Sequence, residues 1–565
     1  LSAPLFSTQA IGQRLDSVAF FFGGQKERAF LQQQFREFPD IERAIGRLSM
    51  NRGTPRDLAR IKNGLVVGKN VRSHIFPIGL PKLIKDAAES LDKNEDLIDI
   101  LTDALLEDLP VLAKDGGFIK TGFSQELDEL RAIMSDSQGM INELQQKYAN
   151  SEEIPNLKIK FNRMLGYFIE TTKRHGDILL SNNEVFIHRQ TMKNAVRFST
   201  EELISLEGKI STATEKALAI ELAIFETLVS KVISKKEKVL STAEGVSFLD
   251  VICGFAEMAE NKNYCRPTVD NSLVYEIEQG RHPVVENSST FYDNQIGGKT
   301  AFVSNDCSLT QDDRLWLLTG PNMAGKSTYL RQNALIPILA QMGSFVPATS
   351  AHIGLIDKLF SRVGASDNLA RGHSTFMVEM VETAAILKQA TKRSFVILDE
   401  IGRGTATFDG LSIAWAVIEY LHEQNACRGL FATHYHELTE ISEQLNSLSC
   451  HKMSVKEWKD EVVFLHTVAP GSADRSYGIH VADLAGLPKQ VVKRADNLLS
   501  IIEKNSPNLG NLKGSRPLPL LEEQTEDSEM ERLAEVAKVL RDISPDDLSP
   551  KQALEHLYLL KKLES

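Results

Sequence analysis

The segment Gly320, Pro321, Asn322, Met323, Ala324, Gly325, Lys326, Ser327, followed by Thr328, has the pattern G-x-x-x-x-G-K-S. Small residues in such a segment let backbone N–H groups close around phosphate oxygens, and the following helix N-terminus adds partial positive charge. Lys326 would then reach the β- and γ-phosphates of a nucleotide, and Ser327 would ligate Mg²⁺. Strand-like Leu315–Leu318 stands directly before the segment and helix-like sequence runs on from Ser327. A phosphate loop requires that context, whereas a functionless glycine turn does not. A second pattern is Ser394–Glu400, an apolar run ending in two acids. It places Asp399 at the sheet edge beside the loop, able to hold Mg²⁺ through water, and leaves Glu400 to act on the attacking water. An acid pair after a strand is more often a solvated strand end, and the phosphate loop 73 residues earlier reverses that preference. His434, after a third strand candidate, is either structural or a hydrogen-bond donor to the γ-phosphate. Phe302 is either a core residue or a stacking platform for adenine. Residues 372–376 form a small-residue turn that chemistry alone leaves uninterpreted.

The elements that must position these residues follow from periodicity. From Asp16 to about Gln145, and again from Ser199 to about Met258, apolar residues recur at helical steps. Between them, short strands are predicted around Gly166 and around Ser181–Asn183, with Ile178 and Val185 as strand residues. After Pro267 strand and helix alternate, which predicts a parallel sheet built on Arg314–Thr319, Ser394–Leu398 and Gly429–Ala432. Asn505–Ser528 reads as a linker, and Glu529–Arg541 and Pro550–Leu563 as short amphipathic helices.

At 565 residues, three or four domains are expected. With 42% hydrophobic and 25% charged residues, the chain is neither a disulfide miniprotein nor a disordered polymer. No apolar run approaches the roughly 18 residues that cross a bilayer. The five cysteines lack paired metal spacing and read as thiols of a reducing compartment. Net charge is −12, so attraction to nucleic acid must be local. Lys158–Arg197 supplies such a place: Lys158, Lys160, Arg163, Lys173, Arg174, Arg189, Lys193 and Arg197 face only Glu170, Asp177 and Glu184. Phosphate contact and a solvated charged face both fit that balance.

Taken together, these residues resemble the MutS family of DNA mismatch-repair ATPases, of bacterial type. Thr319–Arg331 resembles the family's phosphate loop, and Ser374–Met380, Asp399–Thr405 and Ala432–Tyr435 resemble its other ATPase motifs. Gly280–Glu286 resembles the entry to its ATPase domain and Arg189–Asn194 its DNA-clamp segment. Pro55–Leu58 and Glu126–Arg131 resemble its helical lever, and Asp546–Lys551 its terminal helix pair.

The resemblance implies a multidomain fold: a mainly α-helical lever with a small α/β clamp insertion, then an α/β P-loop NTPase of the ABC class with C-terminal helices. The expected boundaries are lever 1–130 and 199–265, clamp 131–198, ATPase 266–474, helix-turn-helix dimerisation segment 475–504, linker 505–528 and oligomerisation helices 529–565. It implies ATP and Mg²⁺ as ligands, with Lys326, Glu400 and His434 in the hydrolytic machinery. Phe302 takes the adenine-stacking role, Asn322 lines the pocket and His466 stands near the nucleotide. Ser374 reaches the partner subunit's γ-phosphate. Arg189, Lys193 and Arg197 contact DNA. Partners implied are duplex DNA, a second copy in a homodimer or tetramer, and a MutL-type repair protein, with no membrane, in the bacterial cytoplasm near the nucleoid.

Departures narrow what carries over. Ala406 replaces a common serine, Arg371 and His373 replace common Ser and Arg, and Lys551 stands where a forked arginine can occur. The mismatch-reading domain with its Phe-x-Glu wedge is expected upstream of these residues. Phe35-Arg36-Glu37 fits the letters but lies in a helical pattern. The rival readings are a recombination clamp of the same superfamily, a nuclease-linked relative and a transporter ATPase.

Overall fold

The computed structural model describes residues 3–75, 79–91, 94–162, 164–287, 292–293, 298–299, 302–321, 324–363, 375–458, 461–472 and 478–505. The terminal pair expected over 529–565 lies outside them. The chain forms two compact units, 1–477 and 478–565.

The first unit opens with helices α1 (Thr8–Phe21), α2 (Gln25–Glu37), α3 (Ile41–Ser49), α4 (Pro55–Ile75), α5 (Lys82–Ser90) and α6 (Glu95–Ala104). Their starts are written in the sequence. The Asp40 side chain accepts the Arg43 N–H (2.9 Å) ahead of α3, and Pro55 opens α4, where its missing N–H costs nothing. In α3 the residues Ile41, Ala44, Ile45 and Leu48 form one buried stripe. Buried Asp57, in the first turn of α4, accepts from Thr54 N–H and hydroxyl (3.0 Å each), from Arg47 and from Arg60.

Two long helices follow, α7 (Gln125–Ser151) and, after a small inserted sheet, α9 (Glu201–Ser234); α10 (Lys236–Lys262) returns beside α5 and α1. Near the base of the α7–α9 pair, buried Glu221 accepts from Arg131 and from the Gly117 N–H (2.5 Å each). Between α7 and α9 lie β1 (Lys158–Asn162), β2 (Gly166–Thr172), α8 (Lys173–Ser181), β3 (Ile187–Thr191) and β4 (Ala195–Ser199), an antiparallel sheet of order β1-β2-β4-β3. Ile178, expected in a strand, is helical: Gly176 lets α8 approach Val196 of β4 so closely that a Cβ would stand 2.7 Å from its methyl group.

The rest of the unit holds a second four-stranded sheet and a six-stranded one. One, ordered β5-β11-β6-β9, is built from β5 (Thr268–Asp270), β6 (Tyr275–Gly280), β9 (Asn305–Leu309) and β11 (Ser350–Gly354); a ribbon of β7 (Tyr292–Asp293) and β8 (Gly298–Lys299) precedes β9. The other, ordered β12-β13-β14-β10-β15-β16, comprises β10 (Leu315–Thr319), β12 (Leu359–Arg362), β13 (Phe395–Asp399), β14 (Arg428–Ala432), β15 (Leu448–Trp458) and β16 (Glu461–Pro470). The three predicted strands are its centre. The sheet is mixed rather than parallel, because β16 hairpins back on β15. Along β10, Trp316 and Leu318 pack towards α11 (Lys326–Gln341), while Leu315 and Leu317 pack towards α12 (Thr375–Gln389) and α13 (Thr407–Tyr420). Burial on both faces explains the unbroken apolar run.

Helix α11 contains Pro337, which has no N–H for the Asn333 carbonyl four residues back. The buried Tyr275 hydroxyl donates to that carbonyl (3.0 Å). The last carbonyls of α11, at Gln341 and Met342, accept from the Leu5 N–H (2.9 Å) and the Arg14 guanidinium (3.1 Å) of the helical region. In the second unit, α14 (Gly478–Leu484) turns at Gly486, with φ of 88°, into α15 (Lys489–Asn505).

The structure corrects the absence of any bilayer-length apolar segment. Helix α10 is long and apolar enough by length and composition. Its buried face, including Val246, Leu249, Ile252 and Ala256, is the middle of the helical core.

Burial would raise the Asp57 carboxyl, but the bonds from Arg47 and Thr54 outweigh it and hold it below the usual aspartate range. Its stabilisation is therefore present above the unfolded-state pKa and lost as pH falls through the lower folded value. Asp57→Ala is expected to lose about 3 kcal/mol in urea unfolding at pH 7, with the gap to the parent narrowing below about pH 4.

Candidate functional site

The carboxyl ends of β10, β13 and β14 bring the chemistry-bearing residues together. After Thr319 the chain turns through Gly320 (φ 125°) and Gly325 (φ 98°), angles that favour glycine, and α11 begins at Lys326. Pro321 and Thr328 are partly exposed at the two ends of this turn, and Ala324 is buried. Asn322 and Met323 lie outside the described residues, as does Ser374.

Lys326 is fully buried. Its Nζ donates to the carbonyls of Gly320 (2.5 Å) and Thr433 (3.4 Å) and lies 3.8 Å from the Glu400 carboxylate. Burial pushes the ammonium below the ordinary lysine pKa, against the pull of Glu400 and Asp399. A buried cation with carbonyl partners at a helix N-terminus suits an added anion, and phosphate has the matching charge.

The Ser327 hydroxyl donates to Asp399 Oδ2 (2.7 Å). The other carboxylate oxygen, Oδ1, is buried and lacks a hydrogen-bond partner. Burial raises the Asp399 carboxyl, with the Ser327 bond opposing. A hydroxyl beside an orphaned carboxylate oxygen is the donor set of a hard divalent cation such as Mg²⁺, so these residues fit that ion. Asp399 ends an interior strand, with β14 standing between β13 and β10.

Glu400 has φ of 54°, a left-handed conformation costing a non-glycine residue about 1–2 kcal/mol. Its N–H donates to the Ala432 carbonyl (2.9 Å), and Oε2 accepts from Arg403 (2.8 Å). His434 follows β14 with its ring solvent-exposed and tilted against Tyr435, centroids 4.1 Å apart. Surrounding protein atoms still lower its pKa, with the Glu400 charge opposing.

His466, on β16, also has a left-handed φ of 55°, and its Nδ1 lies 3.0 Å from the Ala324 carbonyl in the phosphate loop. A residue missed in the sequence holds this arrangement. The Asn305 amide donates to the His466 carbonyl (2.9 Å) and accepts the Val468 N–H (2.7 Å). Phe302 is half-buried three residues earlier, so Asn305 ties its segment to His466. An asparagine close after an aromatic was the only local trace.

The three residues expected to contact DNA separate. Arg189 and Lys193 are exposed, and Arg189 falls at the register shift between His188 and Gln190 of a strand that is exposed throughout. Arg197 is engaged: its Nε donates to Glu170 (3.0 Å), Nη1 to Gln190 (3.1 Å), and the guanidinium stands 4.4 Å from the Phe168 ring centroid. Lys160 shares Glu170, with its bond the main cause that holds that carboxyl low.

Known proteins match this chain from end to end. The family model described as MutS domain III matches residues 1–256, and MutS domain V matches residues 316–503. The DNA mismatch repair protein MutS C-terminal region matches residues 531–563. A protein of Bartonella tribocorum (strain CIP 105476 / IBS 506) named DNA mismatch repair protein MutS is 49% identical over 576 aligned residues. The chain belongs to the MutS family. A Bartonella henselae protein of the same name is 48% identical, and in both cases the alignment covers all of this chain and 62% of the relative. The chain thus spans 62% of the length of these curated MutS proteins. Its multidomain, helix-rich architecture with mixed α/β sheets is consistent with MutS domains III and V. The recombination reading finds no support, since both relatives are named for mismatch repair.

Ionised Asp399 is unfavourable in the metal-free fold, because an acid with a raised folded pKa destabilises as pH climbs through that value. Asp399→Asn is therefore expected to raise the melting temperature of the magnesium-free protein at pH 7. The gain should shrink towards pH 4, and added Mg²⁺ should stabilise the parent more than the variant; calorimetry with and without Mg²⁺ checks both.

Proposed function

We propose that this chain carries the ATP-hydrolysing and DNA-gripping parts of a bacterial mismatch-repair protein, its nucleotide domain being a P-loop ATPase of the ABC class. The observation that carries this reading is the convergence of buried Lys326, the Ser327–Asp399 pair and strained Glu400 at one helix N-terminus.

In this reading the β- and γ-phosphates of ATP lie against the N–H groups of the loop and Lys326, with adenine beside Phe302 and His466. Mg²⁺, held by Ser327 directly and by Asp399 through water, would neutralise charge on the phosphates. Glu400 orients the attacking water and takes its proton, and His434 donates a hydrogen bond to the γ-phosphate. Ser374 completes the site of the partner subunit, so turnover needs a dimer and a monomer hydrolyses ATP poorly. The boundaries we propose are those of the sequence: lever 1–130 and 199–265, clamp 131–198, ATPase 266–474, dimerisation segment 475–504, linker 505–528 and oligomerisation helices 529–565. A homodimer or tetramer on duplex DNA, served by a MutL-type partner in the bacterial cytoplasm near the nucleoid, is the corresponding assembly.

Arg189 and Lys193 are the side chains best placed to neutralise DNA phosphates. Arg197, answered by Glu170, chiefly braces the sheet behind them. The bonds from Leu5 and Arg14 to the end of α11 supply a path between phosphate loop and lever, and the coupling must be reciprocal in binding free energy.

Lys326→Ala is expected to lower steady-state ATP turnover by roughly a hundredfold or more, and turnover at the parental rate would sink the ATPase reading. Replacing both Arg189 and Lys193 with Ala should weaken duplex binding and reduce the slope of log affinity against log salt by about two. Arg197→Ala should change the slope less. An unaltered slope in the double variant counts against the clamp assignment.

A further inference from the structure

Three stretches that resemble the family without an assigned joint role meet at one glycine. Gly402 follows Glu400 by two residues. Its N–H donates to Oε1 of Glu379 (2.6 Å), and its carbonyl accepts from the Tyr435 hydroxyl (3.1 Å). Glu379 lies on α12 and Tyr435 directly after His434. Both are buried, at 9% and 5% exposure.

The packing around Gly402 leaves no slack. Its φ is 87°, and a Cβ on Gly402 or on Gly410 of α13 would collide with the backbone of the other. A Cβ on Gly404 would stand 2.9 Å from the Phe376 side chain of α12. Core packing accounts for a buried tyrosine ring. It does not account for a carboxylate, whose desolvation needs donors in return. Burial and the Glu379 charge both raise the Tyr435 hydroxyl, which keeps it a donor. Glu400 beside this node is strained, and a strained conformer persists where its surroundings over-determine it.

We propose that Glu379, seconded by Tyr435, is a positioning residue that fixes the turn after Glu400 and so aims the Glu400 carboxylate at the attacking water. This rests on the ATP-hydrolysis reading above. The same helix α12 that carries Glu379 begins at Thr375, one residue after Ser374 in the sequence.

The test uses the full chain with ATP and Mg²⁺, measuring kcat, KM, affinity for a fluorescent ATP analogue, and deuterium uptake over residues 399–405. Glu379→Ala should lower kcat roughly ten- to a hundredfold with nucleotide affinity nearly unchanged, and should speed uptake in that peptide. Glu379→Gln should recover most of both, because its amide carbonyl can accept the Gly402 N–H. Tyr435→Phe, which keeps the ring, should lower kcat in the same direction by less. Parental kcat in Glu379→Ala, equal damage from Gln and Ala, or a loss confined to nucleotide affinity would each overturn the proposal. If Glu379→Ala loses its cooperative thermal transition, Tyr435→Phe decides, and parental kcat there overturns it. Parental turnover in Lys326→Ala sinks the hydrolysis reading together with this proposal. Parental turnover in Glu379→Ala beside an inactive Lys326→Ala sinks this proposal alone.

Discussion

A lysine ammonium withdrawn from water must find its compensation nearby, and at Lys326 that compensation is incomplete. Two carbonyls accept its protons, while the closest carboxylate stands 3.8 Å away and already holds an arginine. The neighbouring carboxylate of Asp399 leaves one oxygen unanswered in the same buried space. A site with an under-compensated cation and an under-compensated anion side by side is poised for a ligand that brings both signs at once. The six-stranded sheet, the positive φ angles at Gly320, Gly325 and Glu400, and the helices on either face all serve to hold those two groups there.

Much of this was legible in the sequence because the centre of the sheet is buried on both faces. Unbroken apolar runs ending in Asp399, in Thr319 and before His434 announce interior strands and their functional ends. The helix starts at Asp40 and Pro55 obey general capping rules but lay inside one long helical stretch in the periodicity. Other features depend on partners far away in the chain. Ile178 carries the apolar character of a strand residue, yet the approach of Gly176 to Val196 decides for a helix. The hairpin of β15 and β16 was not anticipated, although alternation in such a half-exposed pair is itself a strand signal. Asn305 acquires its role from residues more than 160 positions later, and nothing local could announce that.

Charge counting told less than pairing. The basic excess of the inserted sheet is real, but Glu170 takes up Arg197 and Lys160, so the balance overstates what faces solvent. Arg189 lies at a bulge of a strand whose residues are all exposed, and the bulge is a backbone irregularity with no signature in composition.

Helix α11 joins the phosphate loop at its first residue to the helical region at its last carbonyls, and Tyr275 grips it part-way along through the carbonyl that Pro337 leaves free. The carbonyl freed by Pro337 thus fastens to β6 the same helix that begins at the phosphate-binding candidate and ends on Leu5 and Arg14, so no one of these three places is structurally independent of the other two.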